Sequence, residues 1–199
     1  MERICVFCGS SAGSRPDYAD SAERLGRALA REGVELVYGG ASVGLMGVLA
    51  ETVLSRGGTA RGVIPEALIA REIAHEGLTE LRVVSSMHER KRVMAELADG
   101  FLALPGGMGT LEELTEILTW AQLGLHSKPF GVLNVAGYFT PWLRFLDHAV
   151  DEGFIKKEHR AMLAVDDDPD ALLRALARSA AGDAPGAYDS ASPEAPSRG

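Results

Sequence analysis

The sequence predicts an α/β fold in which a doubly wound parallel sheet carries helices on both of its faces. Short apolar runs alternate along the chain with longer amphipathic runs, which is the pattern of repeated β–α units. Several of the short runs are apolar throughout, as strands are when both faces of their sheet are covered. Ligands of such folds bind beyond the carboxyl ends of the strands, so we expect any chemistry in the strand-to-helix loops.

Six short apolar runs are predicted to be strands, because each is too short for a helix and lies between longer amphipathic runs. In chain order they span residues 4–8, 35–38, 59–64, 81–85, 100–104 and 129–135.

Six longer runs with apolar residues at helical spacing are predicted to be helices. The run 17–31 is the clearest, because Leu25 and Leu29 share one face with two alanines while its arginines lie elsewhere. The others span residues 43–55, 87–98, 110–123, 141–152 and 169–180. Glycine follows three helical runs within two residues, where a left-handed C-terminal cap favours it, at Gly33, Gly57 and Gly124.

Length and composition predict one domain over residues 1–180. The chain has 199 residues, with 46% apolar and 24% charged residues, which is ordinary for a soluble globular protein. Residues 181–199 are rich in Ala, Pro, Ser, Gly and Asp and have no periodicity, so we predict a disordered tail.

The charge balance argues against large anionic partners. Twenty basic and 28 acidic residues give a net charge of −8, which disfavours nucleic acid and anionic membranes but not one small phosphorylated ligand. The N-terminal apolar run is shorter than the roughly 7–15 residues of a signal peptide, and no run approaches the roughly 18 of a membrane span. We therefore expect a cytoplasmic protein.

Cys5 and Cys8 are the two cysteines of the chain. Their C-x-x-C spacing leaves a thioredoxin-like redox pair open. The simpler interpretation is a buried strand whose small apolar residues are cysteines. Two cysteines cannot complete a four-cysteine zinc site, and the histidines show no metal-binding spacing, so no metal is expected.

Two glycine-rich loops follow the first and second predicted strands. The first, GSSAGS at 9–14, lacks the G-x-G-x-x-G spacing of dinucleotide sites. The second, GGASVGLMG at 39–47, resembles a P-loop but has Leu45 where the phosphate-binding lysine should be. Neither NAD nor ATP is supported, and tight turns are the simpler interpretation. Two such loops at one edge of a sheet nevertheless favour a ligand there, with Gly9, Ser10 and Gly40 beside it.

The third loop, PGGMGT at 105–110, follows the apolar strand 100–104 and opens a helix. Its glycines, Gly106, Gly107 and Gly109, leave backbone N–H groups unshielded, and the helix dipole adds about half a positive charge. This arrangement suits one phosphate group. The alternative is structural: Thr110 and Glu113 have the T-x-x-E spacing of a capping box, in which each side chain bonds the other's backbone N–H.

A basic cluster, MHERKR at 87–92, begins another predicted helix. A helix N-terminus is unfavourable for cations, so Arg90 and Lys91 stand out there. One interpretation is a solvated basic face. The other is that Arg90 reaches across the strand ends to the ligand, where its planar fork binds an oxyanion or a base edge.

These motifs together resemble the LOG ("lonely guy") phosphoribohydrolases, a family often labelled lysine decarboxylases. The resemblance extends from about Arg3 to Leu176. It rests on P-G-G-x-G-T-x-x-E at 105–113, MHERK at 87–91, CVFCGSS at 5–11, YGG at 38–40, SVGLMG at 42–47 and REI at 71–73.

The resemblance implies a Rossmann-like sandwich, a homodimer with each site near the interface, and no cofactor. It also implies hydrolysis of the N-glycosidic bond of cytokinin riboside 5′-monophosphates, releasing the active N6-substituted adenine and ribose 5-phosphate, with AMP accepted by some members. Arg90 and Glu113 would be the catalytic pair. Substrate contacts would come from Glu72, Arg90, Lys91, Gly106, Gly107, Met108, Gly109, Thr110, Leu111, Glu112, Glu113 and Thr119.

Two departures from the family pattern bear on substrate choice. Ala41 replaces the third glycine of G-G-G, and Met108 replaces a common tyrosine. The main alternative function is a non-catalytic carrier of a nucleotide or phosphorylated cofactor, which would not need both Arg90 and Glu113. Lysine decarboxylation is disfavoured, because a pyridoxal enzyme needs a buried Schiff-base lysine and Lys91 is the one candidate.

Overall fold

The computed structural model of the chain describes residues 1–69 and 73–182. The strands are β1 (Arg3–Phe7), β2 (Glu35–Tyr38), β3 (Ala60–Pro65), β4 (Glu80–Val84), β5 (Gly100–Ala103), β6 (Phe130–Leu133) and β7 (Leu163–Asp166). The helices are α1 (Pro16–Glu32), α2 (Gly44–Ser55), α3 (Met87–Leu97), α4 (Met108–Gln122), α5 (Thr140–Asp151), α6 (Lys157–Ala161) and α7 (Pro169–Ala180). Two short 3₁₀ turns span Glu66–Leu68 and Val135–Gly137.

All six predicted strands and all six predicted helices are present, with ends that move by one or two residues. β7 and α6 were not predicted. β7 is a half-exposed edge strand without a continuous apolar run, and α6 is five residues long, so neither has a strong pattern in the sequence. Lys156 and Lys157 are exposed at the start of α6.

Every strand pairing in the sheet is parallel, in the order β4-β3-β2-β1-β5-β6-β7. The chain runs outward from β1 to β4, returns, and runs outward again from β5. β1 and β5 are therefore the topological switch point, and the loops that leave their carboxyl ends diverge and open a crevice.

Each face of the sheet is covered by helices, as predicted. Along β1, Ile4 and Val6 pack on one side and Cys5 and Phe7 on the other. The first side is covered by α1, α2 and α7, with Leu25 buried from α1. The second is covered mainly by α3, α4 and α5. Each large apolar side chain buried in this way stabilises the fold by about 1.5–3 kcal/mol.

The glycine caps are confirmed where they were predicted. Gly33, Gly57 and Gly124 follow α1, α2 and α4 with φ of +67°, +76° and +72°. The predicted disordered tail lies outside the described residues, apart from a turn at Ala181 and Gly182. No helix in the described part of the chain has the length and apolar character to cross a bilayer.

Candidate active site

The three glycine-rich loops meet at the carboxyl edge of the sheet, as predicted. The N–H of Gly9, after β1, donates to the Pro105 carbonyl after β5 at 3.0 Å. The N–H of Leu45, in the second loop, donates to the Gly9 carbonyl at 3.0 Å. A Cβ on Gly44 would lie 2.3 Å from the Ser10 carbonyl carbon, so the first two loops touch through their backbones.

Helix α4 begins earlier than predicted. It starts at Met108, with Gly107 as its N-cap residue, and Thr110 lies inside the first turn. The capping-box interpretation of Thr110 and Glu113 is therefore wrong. The Thr110 side chain is 4% exposed and packs against Gly106, where a Cβ would lie 2.1 Å from its Oγ1.

The glycines of the third loop have two different surroundings. A Cβ on Gly106 would also lie 2.8 Å from the Gly9 nitrogen, so Gly106 lets the ends of β1 and β5 approach. A Cβ on Gly107 or Gly109 would meet nothing within 4 Å. The backbone is therefore open to solvent on the side where Gly107 and Gly109 lack a side chain.

Arg90 lies in the first turn of α3 and is only 5% exposed. Its Nε donates to the Val63 carbonyl on β3 at 3.1 Å, and its Nη2 donates to the Gly39 carbonyl after β2 at 3.0 Å. The guanidinium thus crosses the strand ends, and the solvated-face interpretation is wrong for this residue. Gly39 makes room for it, since a Cβ there would lie 2.0 Å from Nη2.

Glu113 lies in the second turn of α4. Burial and then the Glu113 carboxylate raise the pKa of both the Cys5 and Cys8 thiols well above the ordinary value, and Arg90 opposes this effect at both thiols. Arg90 and Glu113 are therefore both within electrostatic range of the two cysteines at the end of β1.

Both cysteines are free and buried. A redox pair requires an accessible thiol with a lowered pKa, and these thiols have the opposite properties. The structure therefore supports the interpretation of Cys5 and Cys8 as small apolar residues of the core.

Lys91 connects α3 to α4 instead of extending into solvent. Its Nζ donates to Glu112 Oε1 at 2.5 Å and to Glu116 Oε1 at 3.0 Å. Partial burial lowers the pKa of Lys91, but the two carboxylates outweigh it and the net shift is upward. The ammonium is therefore held charged beside the first turns of α4.

The remaining predicted residues lie in different places. Gly40 is buried with φ +77°, and its carbonyl accepts the His75 N–H at 3.0 Å. Met108 is 82% exposed at the mouth of the loop. Thr119 lies six residues beyond Glu113, about 9 Å along the helix, and lines a separate groove. Leu111 packs partly into the second core cluster, and Glu72 lies outside the described residues.

A cavity of about 290 Å³ occupies the crevice between the loops after β1 and β5. Besides the predicted Gly9, Ser10, Gly106 and Gly107, its lining includes Ser11, Ala12, Gly13, Tyr18, Leu45, Pro105 and Tyr138. The two tyrosines were missed by sequence reasoning. A signal existed for Tyr138, which follows the sixth predicted strand and so belongs to the same sheet edge.

Ala41, the departure from the family's third glycine, is fully buried and pairs with Ala74 through an isolated antiparallel bridge. Its methyl group thus belongs to the core cluster around Leu45. Among the described residues, no group of three His, Cys, Asp or Glu side chains is placed to hold a metal ion.

Known proteins resemble this chain over most of its length. A family model described as "Possible lysine decarboxylase" matches residues 46–176. The rice (Oryza sativa subsp. japonica) protein named cytokinin riboside 5′-monophosphate phosphoribohydrolase LOG is 53% identical over 163 residues, covering 82% of this chain and 67% of that protein. The Arabidopsis thaliana protein LOG7, of the same enzyme name, is 51% identical over 176 residues, covering 88% and 81%.

Solved structures share the fold. The molybdenum cofactor carrier protein of Chlamydomonas reinhardtii superposes with a TM-score of 0.69 at 23% identity, covering 90% of this chain and 98% of that one. At this identity the match shows the Rossmann-like architecture alone. With about half of its residues identical to the rice and Arabidopsis proteins, and with the family model matching most of its length, the chain belongs to the LOG family.

Proposed function

We propose that this chain is a phosphoribohydrolase that cleaves the N-glycosidic bond of cytokinin riboside 5′-monophosphates, releasing the free base and ribose 5-phosphate. The names of the rice and Arabidopsis relatives support this substrate class. The observation that carries the proposal is the buried Arg90 guanidinium, held at the strand ends by the Val63 and Gly39 carbonyl groups, with Glu113 on the helix that follows the third glycine-rich loop.

The phosphate would bind at the start of α4. Gly107 and Gly109 have open space where a side chain would stand, so a phosphate can approach the backbone there, and the helix dipole favours an anion. Binding energy from this remote group would hold the reacting bond in place. We therefore expect nucleoside 5′-monophosphates to be much better substrates than free nucleosides, and AMP should be tested beside the isopentenyl substrate.

Cleavage of an N-riboside passes through a state in which positive charge grows on the ribose, as in O-glycoside hydrolysis. The Glu113 carboxylate is the group that would stabilise this charge and orient or deprotonate the attacking water. The neighbouring Glu112 accepts a hydrogen bond from Lys91 at 2.5 Å.

Negative charge grows on the departing purine at the same time. A guanidinium is a permanent cation in proteins, so Arg90 is not the general acid. Its role would be electrostatic: a guanidinium fixed by two carbonyl groups needs little reorganisation to stabilise the leaving base.

The lysines of the described chain do not fit a decarboxylase. A Schiff-base lysine must lose its proton, but Lys91 is held charged by Glu112 and Glu116. Lys128 donates to the Ala95 carbonyl at 2.7 Å, and Lys156 and Lys157 are exposed. The decarboxylase label of the family model is therefore not supported by the chemistry of these side chains.

The test is release of free base from isopentenyladenosine 5′-monophosphate and from AMP, followed by chromatography. We expect wild-type protein to release base, and Glu113→Gln or Arg90→Met to lower kcat at least about 100-fold, the effect of one positioned charged group. Glu96→Gln and Arg92→Met are matched controls, because this pair lies exposed on α3. Tight AMP binding without base release, unchanged in Glu113→Ala, would instead favour the carrier function.

We further propose that the chain acts as a homodimer in the cytoplasm, without a nucleic-acid partner. Support for the dimer comes from an apolar groove of about 370 Å³ between α4 and α5, whose lining includes Leu118, Thr119, Trp142, Phe145 and Leu146. The cytoplasm is supported by two free thiols, which a reducing compartment preserves.

A further inference from the structure

The cavity beside the third glycine-rich loop is lined in part by a residue that has no role in the proposed cleavage. Tyr138 lines this cavity, and its hydroxyl donates a hydrogen bond to the Gly106 carbonyl. Gly106 is the residue directly before the N-cap of α4. A side chain from the loop after β6 is thus attached to the backbone of the loop after β5.

Holding this carbonyl sets the direction of the next N–H. The peptide between Gly106 and Gly107 is a planar trans unit, in which the carbonyl and the following N–H point in opposite directions. Because Tyr138 holds the Gly106 oxygen on its own side, the Gly107 N–H is directed away from the tyrosine. A hydrogen bond to the oxygen also polarises the amide and makes its N–H a stronger donor.

The loop that carries Tyr138 is built to hold one conformation. Ala136 and Gly137 have φ of +49° and +73°, and the first is a costly value for a residue with a Cβ. Asn134 braces the turn: its Oδ1 accepts the Phe139 N–H at 2.8 Å, and its Nδ2 donates to Thr140 Oγ1 at 3.1 Å.

The ring of Tyr138 is also packed. Tyr18 meets it edge to face, with ring centroids 5.8 Å apart, and Phe139 does the same at 5.1 Å. Tyr138 is nevertheless 37% exposed, so the fold does not require it as core. The strained backbone, the hydrogen bonds of Asn134 and the ring contacts together hold the Tyr138 hydroxyl against the Gly106 carbonyl.

We propose that Tyr138 is a positioning residue for phosphate recognition: its hydroxyl fixes the Gly106–Gly107 peptide so that the Gly107 N–H meets the 5′-phosphoryl group of the substrate. This inference rests on the proposed function for the identity of the ligand. It assigns Tyr138 no part in cleavage of the glycosidic bond.

The experiment compares wild-type protein with Tyr138→Phe, which keeps the ring and removes the hydroxyl. Calorimetric titration with AMP and with ribose 5-phosphate should show dissociation constants about 5- to 30-fold higher in the variant, the effect of one mispositioned donor to a charged group. The kcat/KM for AMP should fall by the same factor through KM, while that for adenosine, which lacks the phosphate, should not change.

Tyr38→Phe is the matched control, because the Tyr38 hydroxyl is buried and has no hydrogen-bond partner among the described residues. It should leave both ligand affinities unchanged. The thermal midpoint and the adenosine activity of Tyr138→Phe show whether the variant is folded. An equal loss on AMP and adenosine, or unchanged AMP affinity, would overturn the role of Tyr138 and leave the proposed function intact. Wild-type protein that binds AMP and isopentenyladenosine 5′-monophosphate but hydrolyses neither would overturn the proposed function, while the affinities would still test Tyr138.

Discussion

Gly106 and Gly109 lie three positions apart in the sequence. Their surroundings nevertheless predict opposite effects of an alanine substitution on the free energy of unfolding. A Cβ at Gly106 would meet both Thr110 and the backbone of Gly9, whereas a Cβ at Gly109 would enter open space. The spacing of the glycines in the sequence does not distinguish these cases, because it reports neither the packing of Thr110 nor the approach of β1.

Gly106→Ala should lower the free energy of unfolding by about 1–3 kcal/mol, since overpacking costs this much. Gly109→Ala lies within the first turn of α4, so it should keep or raise that free energy by up to about 1 kcal/mol. It should still weaken AMP binding, because its methyl group would cover the open face of the loop. Urea unfolding measures the change in stability, and calorimetry measures the change in AMP affinity. A Gly109→Ala variant that is destabilised but binds AMP normally would contradict an open, ligand-facing position for Gly109.

The two thiols give a second prediction at this scale. Because burial and Glu113 raise the pKa of Cys5 and Cys8, the reactive thiolate is scarce in the folded protein. Native protein at pH 8 should react with iodoacetamide at least about 100-fold more slowly than protein unfolded in guanidinium. Mass spectrometry follows the reaction in both states. Equal rates of reaction in the folded and the unfolded protein would show that the thiols are accessible.

Among the elements, the central strands could be predicted from sequence because β5 and all of β1 after Arg3 lack polar side chains. β7 and α6 could not, because a short half-exposed element owes its conformation to neighbours distant in the sequence. The start of α4 was also missed: a T-x-x-E pattern is equally compatible with a cap and with an interior turn, and here Gly106 gives Thr110 a buried position.

β1 is tied at its start by Asp99, whose Oδ2 accepts the N–H groups of Glu2 and Arg3 at 2.8 Å each. Burial raises the pKa of Asp99, but these two hydrogen bonds outweigh it and the net shift is downward. Asp99→Ala should therefore cost about 1–3 kcal/mol at neutral pH, because two backbone donors lose their acceptor.

The pH dependence of this cost follows from the direction of the shift. A carboxylate with a lowered pKa stabilises the fold above its unfolded pKa of about 3.9, and this contribution is lost as pH falls through the lower pKa of the folded state. The free energies of unfolding of wild type and Asp99→Ala, measured in urea, should thus differ by the full amount at pH 7 and become equal in acid. A difference in the free energy of unfolding that stays constant below pH 3 would contradict the role of Asp99. Asp20→Ala, at an exposed position of α1, is the control.

At the scale of the whole molecule, the topology explains why separated motifs form one site. The sequence pattern located the glycine loops, Arg90 and Glu113 at the strand ends, and a parallel sheet necessarily gathers these ends at one edge. The sequence pattern could not show the contact between Tyr138 and Gly106, because this contact depends on a braced turn. It also could not show that Thr119 lies away from the third glycine-rich loop. Thr119 instead shares a groove with Phe145, which is 63% exposed.

That groove gives the prediction for the assembly. If a second copy covers it, Phe145→Glu should place a charge in an apolar interface and convert the dimer to a monomer. Sedimentation velocity should then give the mass of one chain for the variant and of two for wild type. Phe154→Glu, at an exposed phenylalanine outside the groove lining, should leave the mass unchanged. A wild-type protein that sediments as one chain would contradict the dimer.

A crystal structure of Glu113→Gln with isopentenyladenosine 5′-monophosphate measures directly where a nucleotide lies relative to α4, Arg90 and Glu113. We expect the phosphate on the backbone N–H groups at the start of α4, with the anomeric carbon between the Arg90 guanidinium and the side chain at position 113. A phosphate bound elsewhere, or an anomeric carbon turned away from both side chains, would contradict it.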